Sequence, residues 1–258
     1  MSWEKLIIEN KPLVITGTIN AYSALLAERA GIKAIYLSGG GVANASYGLP
    51  DLAMTSREDV LEDVRRIRSV SELPLLVDID TGWGSALSIS RTIKEMISAG
   101  ASGVHIEDQV SEKRCGHRPN KEIVSCEEMV DRIKAAKDAK TDDNFLLMAR
   151  TDAFAKGGLQ EVIDRSNAFI EAGAGAIFPE AISTLKDYEV ISKNVSKPIL
   201  ANITEFGMTP LFSHNDLADA GVKIVLHPLS AFRAMSKAAE KVYATLASGG
   251  DHEGLLDK

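Results

Sequence analysis

The chain of 258 residues is 45% hydrophobic and 25% charged, a composition that excludes collagen-like, disordered and small disulfide-rich proteins. Its formal charge of −7 argues against a general nucleic-acid binder, although a local basic pocket can still receive a small anion. Glu4 and Lys5 precede any apolar run, which is unlike a secretory signal, and no uncharged run is long and apolar enough to read as a membrane span. We therefore expect a cytoplasmic protein without nucleic-acid or membrane partners.

Short apolar runs rich in β-branched residues alternate with stretches of helical periodicity along the chain. The runs hardly alternate with polar residues, as is typical of parallel strands covered on both faces. The predicted strands are residues 13–18, 34–38, 73–78, 103–107, 145–150, 176–179, 198–202 and 223–226.

The stretches between these strands predict helices. Capping-box patterns mark helix starts at 55–58 and 125–128, and Cys126, in the first turn after the second of these, is expected to be structural. Glycines that end helices before a strand are expected at Gly31, Gly100, Gly173 and Gly221. The predicted helices are residues 2–9, 86–99, 127–139, 159–172, 184–192, 215–220 and 230–246.

These elements predict a single α/β domain over residues 1–258, a (β/α)8 TIM-type barrel with a short N-terminal helix. A doubly wound sheet is the alternative. The uncharged run 34–50 is predicted to be a strand followed by a polar loop, because it contains four glycines.

Polar residues follow seven of the predicted strands, where the active site of such a barrel lies. Asp78 and Asp80 stand two positions apart, so we expect their carboxylates to point to the same face. Two oxygen ligands on one face suit Mg²⁺, with Mn²⁺ as the alternative ion, although Asp-x-Asp alone also fits a turn. The other polar strand ends include Ser38, Gly39, Gly40, Glu107, Arg150, Glu180, Asn202, Thr204 and His227.

The most specific segment is KRCGHRP at residues 113–119, inside a long predicted loop, 109–124, whose length is typical of a lid. Cationic neighbours stabilise a thiolate, so Cys115 is predicted to be a proton donor or acceptor. Gly116 gives the loop freedom to close. A basic loop with an incidental cysteine is the alternative. The cations expected to clamp substrate carboxylates are Lys113 and Arg114.

Taken together, the motifs resemble the isocitrate lyase/phosphoenolpyruvate mutase superfamily, and the KRCGH segment is similar to the signature of its lyase branch. The segments that carry the resemblance are YLSGGGV (36–42), GLPD (48–51), VDIDTG (77–82), HIEDQ (105–109), KRCGHRP (113–119), MARTDA (148–153), FPEA (178–181), LANITEF (200–206) and PLSAFR (228–233).

The resemblance implies Mg²⁺-dependent, retro-aldol-type cleavage of the tricarboxylate 2-methylisocitrate to pyruvate and succinate, a step of propionate breakdown in the methylcitrate cycle. It implies that Asp78 and Asp80 hold the metal, with Asp51 and Glu107 around it beyond the direct ligands. Cys115 is the implied acid. The implied proton-transfer residues are His117, Lys113, Glu107 and, as hydroxyl base, Tyr36. The implied substrate-binding residues are Ser38, Gly39, Gly40, Arg114, Gly116, Arg150, Glu180, Asn202 and Thr204, with Phe178, Leu226 and Pro228 around the methyl group.

The sequence departs from the family pattern at Trp83, usually Phe, and at His227, where Tyr is common. The family implies a homotetramer in which a helix after the eighth strand is exchanged between subunits. This sequence stops at Lys258, before that helix, so the exchange stays open. An isocitrate lyase-like or other 2-oxoacid-processing enzyme is one alternative, and a barrel without catalytic activity is another.

Overall fold

Eight parallel strands form a closed barrel in the computed structural model, which describes residues 2–116 and 121–250. Neighbouring strands pair in the order β6-β5-β4-β3-β2-β1-β8-β7, and a bridge between Ile177 and Ile199 joins the two ends. The predicted barrel is therefore confirmed. The strands are β1 Leu13–Gly17, β2 Ile35–Leu37, β3 Leu75–Asp78, β4 Gly103–Glu107, β5 Leu146–Thr151, β6 Ala176–Pro179, β7 Leu200–Asn202 and β8 Ile224–His227.

Helices surround the barrel, and within the described ranges they are α1 Trp3–Glu9, α2 Ala21–Arg29, α3 Gly39–Tyr47, α4 Arg57–Arg68, α5 Ala86–Ser98, α6 Cys126–Asp138, α7 Phe154–Ala172, α8 Leu185–Asn194, α9 His214–Asp219 and α10 Ser230–Ala247. All four glycines predicted to follow helices have positive φ, between 86° and 121°. Residues with a Cβ atom rarely adopt this conformation. No helix in these ranges is both long and apolar enough to cross a lipid bilayer.

The hydrophobic core has two parts because strand side chains alternate between the barrel interior and the helix layer. The outer part packs the strands against the helices. The inner part fills the barrel and includes Leu76, Met148 and Phe178. At the N-terminal end of the strands, α1 covers the barrel with Trp3 and Leu6, and Trp3 Nε1 donates to the carbonyl of Ser102 at 2.9 Å.

The predicted polar loop after the second strand is wrong, because α3 occupies it. Ser38 N-caps this helix by accepting from the amide of Gly41 at 3.1 Å, and Gly48 ends it with φ 65°. Each glycine costs an isolated helix about 1 kcal/mol relative to alanine, so local propensity favoured a loop. Tertiary contacts override that propensity, since the amide of Gly39 donates to Asp78 Oδ2 at 3.0 Å.

Two smaller predictions also need correction. The capping box of α4 is formed by Ser56 and Asp59, one residue later than predicted. Thr55 is instead buried, and its carbonyl accepts from Trp83 Nε1 at 3.1 Å. The helix predicted at 159–172 begins earlier, at Phe154, because a short helical segment precedes a break at Gly158.

Candidate active site

A buried layer of charged and polar side chains lies inside the barrel at the carboxyl ends of β3 to β7. It forms because these strand ends carry polar residues at the inward-facing positions of the alternating pattern. The layer stands above the apolar barrel interior, and its members are Asp78, His105, Glu107, Arg150, Glu180 and Asn202.

Arg150 holds the centre of this layer. Its guanidinium lies 3.3 Å from Glu107 Oε2, 3.2 Å from Glu180 Oε2 and 2.9 Å from Asp152 Oδ2. Underneath, it lies 5.2 Å from the ring centroid of Phe178, a cation–π contact. Burial alone would lower the pKa of Arg150, but the surrounding carboxylates raise it well above its usual value. Arg150 is therefore a fixed cation at the base of the site.

Asp78 and Asp80 come together as predicted, but for a different reason. Only Asp78 belongs to β3, and Asp80 lies beyond it in a left-handed turn with φ 48°. The amide of Asp80 donates to Asp78 Oδ1 at 3.0 Å, which closes the turn. A Cβ added to Gly39 would lie 3.2 Å from an oxygen of each carboxylate, so the glycine lets the backbone of α3 approach both.

Lys113 reaches into this carboxylate group. Its Nζ lies 2.6 Å from Asp51 Oδ1 and 2.7 Å from Asp80 Oδ1, and its side chain is 5% exposed. The sequence predicted a lid cation that clamps substrate, whereas the structure directs this ammonium at the site's own carboxylates. Burial disfavours the charge, but Asp80, Glu107 and Asp51 raise the pKa of Lys113 well above its usual value.

The pKa values of the site's carboxylates reflect their burial and the charges around them. Burial and the nearby Asp78 raise the pKa of Asp80 to about 6, although Lys113 opposes the shift. The pKa of Asp78 is lowered to about 2, because His105, Lys113 and Arg150 outweigh its burial. Burial also raises the pKa of Glu107 well above its usual value.

This donor set fits a hard divalent cation. Asp51, Asp78, Asp80, Glu107 and Glu180 contribute five carboxylates around two fixed cations, Lys113 and Arg150. Glu107 Oε1 is buried without a hydrogen-bond partner among the described residues. No three acidic, imidazole or thiol groups in those residues converge on one point. The pair Asp78 and Asp80, whose carboxylates both lie next to Gly39, fits Mg²⁺, which commonly takes one or two carboxylates and completes its octahedron with water and substrate.

Tyr36 and His105 form a buried pair beside the carboxylates. Tyr36 Oη lies 2.9 Å from His105 Nε2 and 3.5 Å from Asp78 Oδ2, and the two rings stack. Burial and the charge of Asp78 raise the pKa of Tyr36 well above 10, so the phenol holds its proton at neutral pH. Burial lowers the pKa of His105 to about 4, so the imidazole is neutral there.

The described part of the predicted lid lies against the charged layer. A Cβ added to Gly116 would fall 2.2 Å from Arg150 Nη2 and 2.6 Å from Glu180 Cγ, so the loop backbone rests directly on these side chains. Cys115, beside it, is partly buried. Arg114 is exposed, and its backbone, rather than its guanidinium, is held by Gln109. His117 lies outside the described residues.

The remaining candidates are distributed around the same end of the barrel. Asn202 Nδ2 lies 3.3 Å from Glu180 Oε2, and Thr204 Oγ1 accepts from Arg233 at 3.0 Å. A Cβ on Gly40 would lie 3.0 Å from Asp51. The three residues expected around a methyl group are all buried: Phe178 and Leu226 in the barrel interior, and Pro228 after β8.

Sequence reasoning quoted His105 and Asp152 in motifs but gave them no role, and it overlooked Lys121. His105 had a usable signal, because it stands two positions before Glu107 on one strand and so shares its inward face. Asp152 binds Arg150 through two hydrogen bonds, and Lys121 binds Asp152. Contacts of this kind between a loop and a strand end have no local signature in sequence.

The chain is similar to known enzymes over nearly its whole length. A model of the phosphoenolpyruvate phosphomutase family matches residues 4–247. The chain is 58% identical over 257 residues to 2-methylisocitrate lyase of Shewanella oneidensis, covering 100% of this chain and 88% of that protein. The solved structure of oxaloacetate acetylhydrolase with 3,3-difluorooxalacetate superposes with a TM-score of 0.92 at 29% identity, covering 100% and 88% of the two chains. The solved structure of a phosphonopyruvate hydrolase in complex with oxalate and Mg²⁺ superposes with a TM-score of 0.86 at 31% sequence identity, covering 99% of this chain and 90% of that chain.

A barrel with a buried charged layer at the carboxyl ends of its strands has the arrangement of a (β/α)8 enzyme. The family match extends over nearly all of the described residues. The chain belongs to the phosphoenolpyruvate phosphomutase family, and the resemblance inferred from its motifs is confirmed.

Proposed function

We propose that the chain cleaves 2-methylisocitrate to pyruvate and succinate. The observation that carries the proposal is the buried layer around Arg150, in which carboxylates outnumber the cations. The backbone of the loop that bears Cys115 lies directly against this layer. The identity of 58% to a 2-methylisocitrate lyase over the whole chain supports the same substrate.

The proposed reaction breaks the bond between C2 and C3 of the substrate. A base removes the C2 hydroxyl proton, the electron pair left on that oxygen forms the second carbon–oxygen bond of the pyruvate carbonyl, and the C2–C3 electron pair remains on the succinate fragment until it accepts a proton. Mg²⁺ or Mn²⁺ held by Asp78 and Asp80 would supply stabilisation of negative charge on the oxygen that loses its proton. Arg150, a fixed cation, would pair with a substrate carboxylate.

Tyr36 and His105 support a route for the hydroxyl proton. The Tyr36 phenol keeps its own proton at neutral pH, so it accepts another only as it passes the first one on. His105 Nε2, 2.9 Å away, can receive that proton when the imidazole carries its hydrogen on Nδ1. The assignment of Tyr36 as the base stays a prediction, with His105 added as its partner.

Cys115 is the proposed acid. Its thiol proton would go to the carbanionic carbon of the succinate fragment as the C2–C3 bond breaks. The close approach of the Gly116 backbone to Arg150 and Glu180 supports this role, because Cys115 is the next residue in the chain and is thereby brought to the charged layer. His117 and Lys113 stay predicted partners in proton transfer.

The proposed preference for the methylated substrate rests on Phe178, Leu226 and Pro228. One methyl group in an apolar pocket is worth about 1–3 kcal/mol, so discrimination over isocitrate should be about 10- to 200-fold.

A homotetramer and a single domain over residues 1–258 also stay predictions.

The test is a substrate panel with purified protein. Release of 2-oxoacid is followed with 2-methylisocitrate, isocitrate, oxaloacetate and phosphonopyruvate, each with Mg²⁺, with Mn²⁺ and with excess chelator. We expect metal-dependent pyruvate and succinate in equal amounts from 2-methylisocitrate. Preference for isocitrate or oxaloacetate would overturn the substrate assignment. Full activity in chelator would overturn the metal assignment, and Asp80→Ala, expected to be inactive but folded, is its variant control.

A further inference from the structure

Lys121 is a buried lysine that the proposed mechanism does not use. Its side chain is only 4% exposed, and its Nζ lies 2.5 Å from Asp152 Oδ1. The same ammonium donates to the backbone carbonyl of Gly116 at 2.5 Å. Lys121 therefore joins the loop backbone beside Cys115 to the end of β5.

The partner of Lys121 is itself rigidly held. Asp152 is fully buried, its amide donates to Asp108 Oδ1 at 2.9 Å, and Arg165 in turn lies 3.2 Å from Asp108. A buried ammonium is costly unless it is paired and hydrogen-bonded, and Asp152 provides that pairing. Since the carboxylate is fixed by its backbone and by Arg150, its contact with Lys121 defines one position for the ammonium.

The contact also involves the centre of the active site. Asp152 binds Arg150 at 2.9 Å and 3.3 Å, so one carboxylate is shared between Lys121 and the central guanidinium. Gly116, the second partner of Lys121, has its backbone against Arg150 Nη2 and Glu180. These contacts form a closed ring from Gly116 through Lys121, Asp152 and Arg150 back to Gly116.

We infer that Lys121 is a positioning residue: it fastens the backbone next to Cys115 to the carboxylate that orients Arg150. Loss of the ammonium removes the hydrogen bond to the Gly116 carbonyl and leaves the loop anchored before Cys115, by Lys113 and Gln109, so Cys115 spends more time away from the charged layer. The activity readout below rests on the proposed function, whereas the chemical readout rests on the contacts alone.

The chemical readout is the alkylation rate of Cys115 by iodoacetamide, measured by peptide mass spectrometry relative to Cys126 in the same molecule. Cys126 lies in the first turn of α6 and serves as the internal reference. In Lys121→Met we expect the Cys115-to-Cys126 rate ratio to rise about 5- to 30-fold, the size expected for loss of a typical stabilising interaction. Lys121→Arg, which keeps a cation, should restore most of the wild-type ratio. The matched control is Lys237→Met, at an exposed ion pair on α10.

The activity readout is cleavage of 2-methylisocitrate with Mg²⁺. We expect Lys121→Met to lower kcat by about 100-fold with a smaller effect on KM, because the acid is misplaced when the bond breaks. Lys121→Arg should recover part of kcat. Thermal unfolding is measured for each variant, so that a folding defect is recognised.

An unchanged alkylation ratio in Lys121→Met would overturn the inference. Equal increases at Cys115 and Cys126 leave that ratio unchanged and, together with a lower Tm, indicate general destabilisation. If wild-type protein does not cleave 2-methylisocitrate, the proposed function fails, but the alkylation ratio still decides the role of Lys121.

Discussion

Cys115 stands beside a glycine that touches Arg150, and its proposed role as an acid gives a direct test at the residue level. Serine is nearly isosteric with cysteine but far less acidic, so Cys115→Ser should keep substrate affinity and lose the proton donor. A positioned acid contributes about 10²–10⁴-fold, and we expect a loss of that size in kcat rather than KM. Single-turnover kinetics with 2-methylisocitrate measure it.

Cys126→Ser is the matched control for that experiment. Burial raises the pKa of the Cys126 thiol, which lies in the first turn of α6 and packs against the hydrophobic core, so this variant should keep wild-type turnover. Thiol alkylation should inactivate the wild type and be slowed by substrate. A Cys115→Ser rate within about tenfold of wild type would assign the acid to another group.

His105 gives stability a defined pH dependence. Burial lowers the pKa of His105 from 6.5 to about 4, so between these pH values the imidazole is protonated in the unfolded chain and neutral in the native state. Stability is therefore fully present above about pH 6.5 and is lost as the pH falls towards 4, by an amount on the order of 3 kcal/mol.

The pKa of Asp80 is shifted in the opposite direction, to about 6, so protonation of Asp80 on acidification stabilises the native state. In the wild type this gain offsets part of the stability lost through His105. His105→Gln removes the imidazole and leaves an acceptor for Tyr36. Urea unfolding in chelator should therefore show that wild type loses more stability than His105→Gln between about pH 7 and about pH 4. Parallel curves for the two proteins would contradict this, because they would mean that His105 has the same pKa in the native and unfolded states.

At the level of elements, the loop that bears Cys115 depends on the missing side chain of Gly116. In Gly116→Ala the new methyl group would overlap Arg150 Nη2, which cannot retreat because three carboxylates hold it. The loop lifts instead, so we expect kcat to fall by about 100-fold with little change in Tm.

Gly31→Ala should show the opposite signature. Open space surrounds Gly31, but its φ of 86° disfavours alanine by about 1–2 kcal/mol, so Tm should fall while activity per folded molecule stays constant. Equal effects of the two variants on both quantities would contradict the seating of the loop on Arg150.

The sequence predicted elements better where periodicity decides than where tertiary contacts do. All eight strands were predicted because parallel barrel strands are continuous apolar runs. The helix α3 was missed because three glycines at its start look locally like a loop, although a Cβ at Gly39 would meet Asp78 and Asp80 and one at Gly40 would meet Asp51. The same limit applies to the site: Arg150 and Glu180 end strands and were found, whereas Lys121 bonds across the loop and was not.

For the molecule as a whole, α1 acts as a closure of the barrel. Trp3 is 4% exposed and packs under the barrel interior, whereas Ile8 on the same helix is 64% exposed. Replacing a buried Trp by Ala costs about 3–5 kcal/mol, so Trp3→Ala should lower the free energy of unfolding by that amount. Ile8→Ala should change it by less than about 0.5 kcal/mol, and chemical denaturation of both variants checks the difference.

The closure of the N-terminal end by α1 has a further consequence for turnover. A substrate that reaches Arg150 enters from the C-terminal side, and every product has to leave by the same opening, past the segment that carries Cys115. We therefore expect the two fragments of the proposed cleavage to leave in a fixed order, the one nearer the C-terminal opening first. Steady-state inhibition should then be asymmetric: the fragment released last competes with substrate for the empty enzyme, and the fragment released first does not.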